Sequence, residues 1–105
     1  MPNFMKMLKQ ATEIQKNMAK AQEDLAGQTL EASSGGGAVT VTITGAGDIT
    51  AIKISPDVAK SGDAEMLEDL VLSAVKSAQE QARDTSSKTM AKLTGGLQLP
   101  PGFGF

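Results

Sequence analysis

Val39-Thr40-Val41-Thr42-Ile43-Thr44 is the stretch that decides the fold, because apolar and polar residues alternate along it without a break. Successive side chains of a β-strand point to opposite faces, and β-branched residues fit a pleated, half-buried surface. The stretch therefore predicts a strand that turns one face to the core and the other outward.

Two further strands are predicted on either side of this one. Ile49 to Ser55 is the expected partner strand, ended by Pro56, and Gly45-Ala46-Gly47-Asp48 is expected to form the hairpin turn between the two. On the N-terminal side, Leu30-Glu31-Ala32 predicts a weak third strand, followed by a turn over residues 33–37. The pattern indicates a small antiparallel sheet of three strands.

A helix is predicted before the strands, from Phe4 to about Leu25, with Gly27 as its stop. Its apolar residues are spaced alternately three and four positions apart, which places them along one side of a helix. We call these seven residues the seam: Phe4, Met7, Ala11, Ile14, Met18, Ala21 and Leu25.

A second long helix is predicted after the strands, with a loop or short turn over residues 56–62 leading into it. Asp63 is the expected N-cap, and the helix runs to about Leu93, before Gly95 and Gly96. Its apolar stripe consists of Leu67, Leu70, Val71, Ala74, Ala78 and Ala82, with Met66 and Val75 beside it. The predicted fold is α+β, in the order α-β-β-β-α, as one domain over residues 1–95 with a Gly/Pro-rich tail over residues 96–105.

The length of the seam predicts a homodimer. Three strands cannot cover a helix of this length, and a small sheet leaves edges that a second copy would cover. In the monomeric alternative the two helices cover each other, but the stripe of the second helix fades after Ala82. We therefore expect a homodimer whose helices project from a shared β core.

Composition excludes several classes of protein. The chain has no Cys and no His, which removes disulfides, thiolate chemistry and the commonest metal ligand and general base. No leader or membrane-spanning run is visible, so a cytoplasmic protein that does not bind a membrane is expected. We also expect no cofactor and no small-molecule substrate. Ten Lys and Arg against twelve Asp and Glu argue against nucleic-acid binding unless the cations are clustered.

Two groups of cations are the candidates for such clustering. One lies on the first helix, opposite the seam, and the other lies on the last part of the second helix. The candidate DNA-contacting residues are Lys6, Lys9, Lys16, Lys20, Arg83, Lys88 and Lys92. On the residues alone, an ordinary solvated face is favoured over DNA contact for the first group. Matching of the helix dipole explains the second group and does not exclude DNA contact.

Two other motifs have simpler structural explanations. Gly35-Gly36-Gly37 lacks the Lys-Ser/Thr ending of a phosphate loop and is expected to be a turn. The acids at the start of the second helix suit the positive end of its dipole better than a calcium site. These acids are Asp63, Glu65, Glu68 and Asp69.

Five segments, in this order, resemble the YbaB/EbfC family of small bacterial nucleoid-associated proteins. They are Met5-Lys6-Met7-Leu8-Lys9-Gln10-Ala11, Gly37-Ala38-Val39-Thr40-Val41, Ile52-Lys53-Ile54-Ser55-Pro56, Glu65-Met66-Leu67-Glu68-Asp69-Leu70-Val71 and Gly96-Leu97-Gln98-Leu99-Pro100-Pro101-Gly102-Phe103. The resemblance implies a tweezer-like homodimer in the cytoplasm that binds double-stranded DNA and affects nucleoid organisation and gene expression. It implies DNA contact by the protruding helices, for which the seven cations named above are the candidates.

Two alternatives stay open at this point. The first is a dimeric helical scaffold that binds a protein partner through the seam and the tail aromatics Phe103 and Phe105. The second is an enzyme working through carboxylates and Lys, which would require an enclosed polar cleft.

Overall fold

The computed structural model describes residues 3–94, so the predicted tail of residues 96–105 lies outside the described residues. Its elements are helix α1 (Phe4–Gly27), strands β1 (Thr29–Ser34), β2 (Val39–Thr44) and β3 (Ile49–Ile54), helix α2 (Pro56–Lys60) and helix α3 (Ala64–Thr94). The predicted α+β class and the three-stranded antiparallel sheet are confirmed.

Strand β2 is the centre of the sheet and of the core. It pairs antiparallel with β1 on one side and with β3 on the other, and the register with β3 shifts between Thr42 and Ile43. Val39, Val41 and Ile43 are fully buried, whereas the threonines between them are partly exposed. The alternation of the sequence thus predicts correctly which face of the strand is buried.

Strand β1 is twice as long as the sequence predicted. Pairing with β2 extends it in both directions, from Thr29 opposite Thr44 to Ser34 opposite Val39. The expected turn over residues 33–37 is therefore wrong at its start, and the turn begins at Gly35. Gly35, Gly36 and Gly37 all have positive φ, a conformation that glycine adopts without steric cost.

The loop or short turn predicted over residues 56–62 is also wrong, because Pro56–Lys60 forms the short helix α2. Pro56 occupies the first helical position, where its missing N–H costs nothing and its fixed φ already suits a helix. Strand β3 ends at Ile54, so Ser55 is the N-cap of α2 and does not belong to the strand.

Helix α3 packs against β1 and β2 through its small residues. Ala74, Ala78 and Ala82 are buried against the sheet, and the absence of larger side chains allows helix and sheet to approach closely. The expected N-cap is confirmed, since the Met66 N–H donates to Asp63 Oδ1 at 3.0 Å. The larger stripe residues that pack against the buried core are Leu67, Leu70, Val71 and Val75.

Within residues 3–94, helix α1 is buried only near its C-terminal end. Of the seam, only Ala21 and Leu25 are buried. Gly27 is the last helical residue and has no positive φ, so the helix ends as the backbone becomes extended at Gln28. The seam from Phe4 to Met18 is exposed, because the sheet ends where Leu25 contacts it.

Both long helices project from the same end of the sheet. At one end, Ser34 Oγ donates to the Leu70 carbonyl oxygen at 2.6 Å. At the other end, α1 reaches the β2–β3 turn, where the Gly45 N–H donates to the Gln28 carbonyl oxygen, and Arg83 lines a cleft with that turn. Helix α3 therefore runs along the sheet toward α1 and continues beyond it.

The dimensions of the molecule agree with projecting helices. The described chain measures 71 × 26 × 16 Å, with a radius of gyration of 19.8 Å. A compact chain of about 100 residues has a radius of gyration of about 13 Å. Helix α1 is about 36 Å long, so it fits only along the longest axis.

We expect Gly45→Ala to lower the free energy of unfolding by about 1–3 kcal/mol, measured by urea denaturation. A Cβ on Gly45 would lie 2.9 Å from the Leu25 carbonyl oxygen and 3.1 Å from Leu25 Cδ2, so α1 would have to shift. Gly27→Ala is the matched control, because a Cβ there meets nothing within 4 Å. An equal loss of stability in both variants would contradict the close contact at Gly45.

Candidate nucleic-acid interface

The parts of the helices that project beyond the sheet are the helical arms, residues 4–20 of α1 and 83–94 of α3. Together they carry seven of the ten cations and only two of the twelve acids, Glu13 and Asp84. All seven candidate residues named from the sequence lie on the arms: Lys6, Lys9, Lys16, Lys20, Arg83, Lys88 and Lys92. The fold thus gathers both predicted groups at one end of the molecule.

The rest of the described chain, residues 21–82, is the base, and its charge is strongly negative. It carries ten acids and only Lys53, Lys60 and Lys76 as cations. The net charge of −2 is therefore the sum of a positive end and a larger negative end. An acidic chain of this kind still presents a positive surface to a polyanion, because the nearby cations attract it at short range. Dissolved salt screens the repulsion between the polyanion and the more distant acids.

On α1, the lysines lie on the side opposite the seam. At 100° per residue, Lys9, Lys16 and Lys20 fall within about 40° of one another, and Lys6 lies at the edge of the same group. All four lysines are exposed, and within residues 3–94 none of them forms an ion pair. Glu13 is the single acid among them. This face of α1 can approach a row of phosphates without first breaking an internal ion pair.

On α3, the cations do not share one face. Lys88 and Lys92 are about 40° apart around the helix, while Arg83 lies about 140° or more from both. Arg83 borders a cleft of about 280 Å³ with the β2–β3 turn, at the foot of the arm. The second predicted group is therefore divided between two flanks of α3.

An apolar groove between β3 and α3 is the second surface of interest, and the sequence analysis missed it. Strand β3 is an edge strand with every residue exposed, and Ile52 and Ile54 are 47% and 37% exposed. The groove has a volume of about 520 Å³. Its lining consists of Ile54, Ala64, Leu67, Glu68, Val71, Leu72 and Val75. The available signal was Leu72, a large apolar residue off the predicted stripe, which is 53% exposed.

Other kinds of site find no support in the described part of the chain. Over residues 3–94, no group of three or more carboxylates is placed to hold a metal ion, and Asp63 serves as a helix cap. None of the helices in this range has the length and apolar character needed to cross a bilayer.

The fold and the charge distribution define a class of small acidic α+β proteins that carry their cations on projecting helices. Within that class, the chain belongs to the YbaB/EbfC DNA-binding family, whose model matches residues 1–97. The resemblance read from the five sequence segments is thereby confirmed.

Individual relatives agree with this membership. A nucleoid-associated protein of Akkermansia muciniphila is 43% identical over 103 residues, covering 98% of this chain and 99% of its own. Another, from Ruminiclostridium cellulolyticum, is 46% identical over 100 residues, covering 95% and 87%. The crystal structure of an uncharacterized protein from Helicobacter pylori has the same fold, with a TM-score of 0.81 at 18% identity, covering 88% of this chain and 97% of that one.

Proposed function

We propose that this chain is a non-catalytic, homodimeric DNA-binding protein of the nucleoid, which holds duplex DNA by its phosphates and thereby influences nucleoid organisation and gene expression. The observation that carries the proposal is the separation of charge between the arms and the base. Seven cations on two adjacent helices offer the release of condensed counterions that drives sequence-independent binding. Membership in a DNA-binding family supports the same choice of ligand.

The chemistry of the arms favours phosphates over base edges. Six of the seven arm cations are lysines, which act as flexible point charges and lack the planar fork with which arginine reads guanine. The arms offer no Asn-rich or Arg-rich group that would read bases at fixed positions. Contacts of this kind position a protein on DNA and carry little sequence information.

The second copy in the proposed homodimer covers the groove between β3 and α3. Exposed apolar surface beside an unpaired strand edge is a liability that a self-complementary contact removes. The groove lies on the base, so pairing there leaves the arms free. A two-fold axis running along α3 would keep both pairs of arms at the same end of the dimer, where they can hold one duplex.

The test measures binding of the intact protein to two unrelated duplexes of equal length. Fluorescence anisotropy gives the affinity for each duplex at about 50 and 200 mM salt. We expect similar affinities for both duplexes and a loss of about a thousandfold or more at the higher salt, as for proteins with six to ten phosphate contacts. A dimer that fails to bind either duplex at low salt would refute DNA binding and favour the protein-scaffold alternative.

We expect the triple variant Lys9→Gln/Lys16→Gln/Lys20→Gln to bind both duplexes at least about tenfold more weakly at low salt, with the salt slope reduced by about 0.9 per lost phosphate contact. The control is Lys53→Gln/Lys60→Gln/Lys76→Gln, which removes the same three charges from the base. Equal losses in the two variants would show that only net charge matters. An unchanged affinity in the first variant would move the contact to α3.

A further inference from the structure

We propose that the cleft beside Arg83, called the Arg83 cleft below, is a binding site for a single phosphate group. It lies at the foot of the α3 arm, between one side of α3 and the turn that joins β2 to β3. Both the backbone of DNA and free phosphate carry the group that this site would take. The site itself does not depend on DNA binding, whereas DNA as the source of the phosphate rests on the proposed function.

One wall of the Arg83 cleft is a polar side of α3. Gln79, Arg83 and Ser86 all line it, and their spacing of four and three residues places them on one side of the helix. Together they offer an amide, a guanidinium and a hydroxyl, each of which can donate a hydrogen bond. The planar fork of an arginine fits the oxygens of a phosphate through two parallel hydrogen bonds. This wall therefore supplies both the charge and the donors that a phosphate requires.

The opposite wall of the cleft is the glycine-rich turn Gly45-Ala46-Gly47. Gly47 has positive φ, and the two glycines carry no side chain that would keep a ligand away from the backbone. Gly45 and Gly47 already donate their N–H groups, to the carbonyl oxygens of Gln28 and Thr44. Within residues 3–94, the Ala46 N–H donates no hydrogen bond, so this wall keeps one backbone donor for a ligand.

The charge of Arg83 has no counterpart at this site. Within residues 3–94, Arg83 forms no ion pair, and no carboxylate belongs to the lining of the cleft. The nearest acids along the chain also lie outside the lining: Asp48, Glu80 and Asp84. Ile43 and Ala82 are the buried apolar residues of the lining, and beside them opposite charges attract more strongly than in open water. An anion is therefore the ligand that the cleft is suited to hold.

The size of the Arg83 cleft suits one phosphate group better than a whole nucleotide. Its volume is about 280 Å³, below the range of about 300–1,000 Å³ for pockets that enclose small-molecule ligands. Arg83 also lies about 140° or more around α3 from Lys88 and Lys92, so a phosphate held here is separate from any at those lysines. In DNA binding, the cleft would hold one backbone phosphate at the foot of the arm.

Titration of the intact protein with inorganic phosphate tests the site without DNA. We expect the backbone amide signals of residues 45–47 in NMR spectra to shift and to reach saturation at millimolar phosphate. Acetate at the same ionic strength is the control for a different anion and should shift these signals only slightly. Arg83→Gln should abolish the saturable shift, and Arg83→Lys, which keeps the charge but lacks the fork, should bind phosphate severalfold more weakly. Lys88→Gln removes a charge from the other side of α3 and should bind phosphate as the unmodified protein does.

The absence of a saturable shift, or equal shifts with acetate, would overturn the proposal even if the protein binds DNA. Duplex binding by the same variants identifies the source of the phosphate, and we expect Arg83→Gln to weaken it severalfold more than Lys88→Gln does. Equal losses in these two variants, with phosphate still bound at the cleft, would overturn DNA as the source and assign the site to free phosphate. Phosphate binding by a protein that binds no duplex would refute the proposed function and support the site.

Discussion

We expect Leu25→Ala to lower the free energy of unfolding by about 2–5 kcal/mol, the range for emptying a fully buried leucine site. Leu25 is completely buried, and it joins α1 to the turn after β2. Ala21 is the only other buried residue of α1. The Gly45 N–H donates to the Gln28 carbonyl oxygen and holds the end of α1 at this turn. The helix therefore cannot easily move inward to fill the cavity that the lost side chain leaves.

Leu8→Ala is the matched control, since it removes the same atoms from the same helix at a position that is 50% exposed. We expect its effect to stay within about 0.5 kcal/mol. Urea denaturation followed by circular dichroism measures both variants, at one fixed protomer concentration because the proposed dimer would add to the measured stability. Similar losses at both positions would contradict the attachment of α1 through its C-terminal end.

The second large effect is expected for Leu72→Lys, which should convert the proposed dimer into monomers of 10.8 kDa in light-scattering measurements. A Lys at this position places a charge in the centre of an apolar contact, where it would lose its hydration without gaining a partner. Because Leu72 is 53% exposed in the protomer, the fold itself should be preserved. Ile54→Lys should act in the same way from the opposite wall of the groove.

The same variant tests whether DNA binding needs two protomers. Added positive charge on its own would strengthen DNA binding, so a loss of at least about tenfold in Leu72→Lys can be attributed to loss of the second pair of arms. Ser73→Lys adds the same charge at the neighbouring exposed position, so it should keep the mass of the dimer and bind DNA at least as tightly as the unmodified protein. A dimeric Leu72→Lys protein would refute the groove as the contact surface.

Local patterns predicted the central parts of the fold well. Strict alternation in β2 and small residues at helical spacing in α3 each report which side of an element is buried. The errors occur where the local sequence pattern is weak and the neighbouring structure decides the conformation. Strand β1 is long because β2 offers it six partners, and Pro56 begins a helix where its sequence also suits a turn.

The burial of α1 could not be obtained from periodicity. The seam repeats evenly from Phe4 to Leu25, yet only its last two residues are covered within the described chain. Periodicity states which side of a helix is apolar, whereas coverage depends on how far the sheet reaches. The length argument predicted that three strands cannot cover this helix, and within residues 3–94 the outer turns of the seam are exposed. The homodimer inferred from the same argument stays a prediction.

The candidate interface was predictable in its residues but not in its arrangement. Each helix, considered alone, shows cations that a solvated face or a helix dipole explains. The cations of the two helices form one cluster only because both helices leave the sheet at the same end. This arrangement depends on the topology and cannot be predicted from either segment alone. The groove was missed for a related reason, since Ile54 and Leu72 become neighbours only when β3 lies beside α3.

Helix α3 contains neither glycine nor proline from Ala64 to Thr94, and it is continuous from the groove to the tip of its arm. A rod of this kind has no built-in kink or joint, because sharp bends in helices arise at such residues or at interruptions of the hydrogen-bond ladder. In the proposed dimer, the distance between the two α3 arms would consequently be fixed at the base. Any adjustment to the width of a duplex would then have to come from rotation of one protomer against the other.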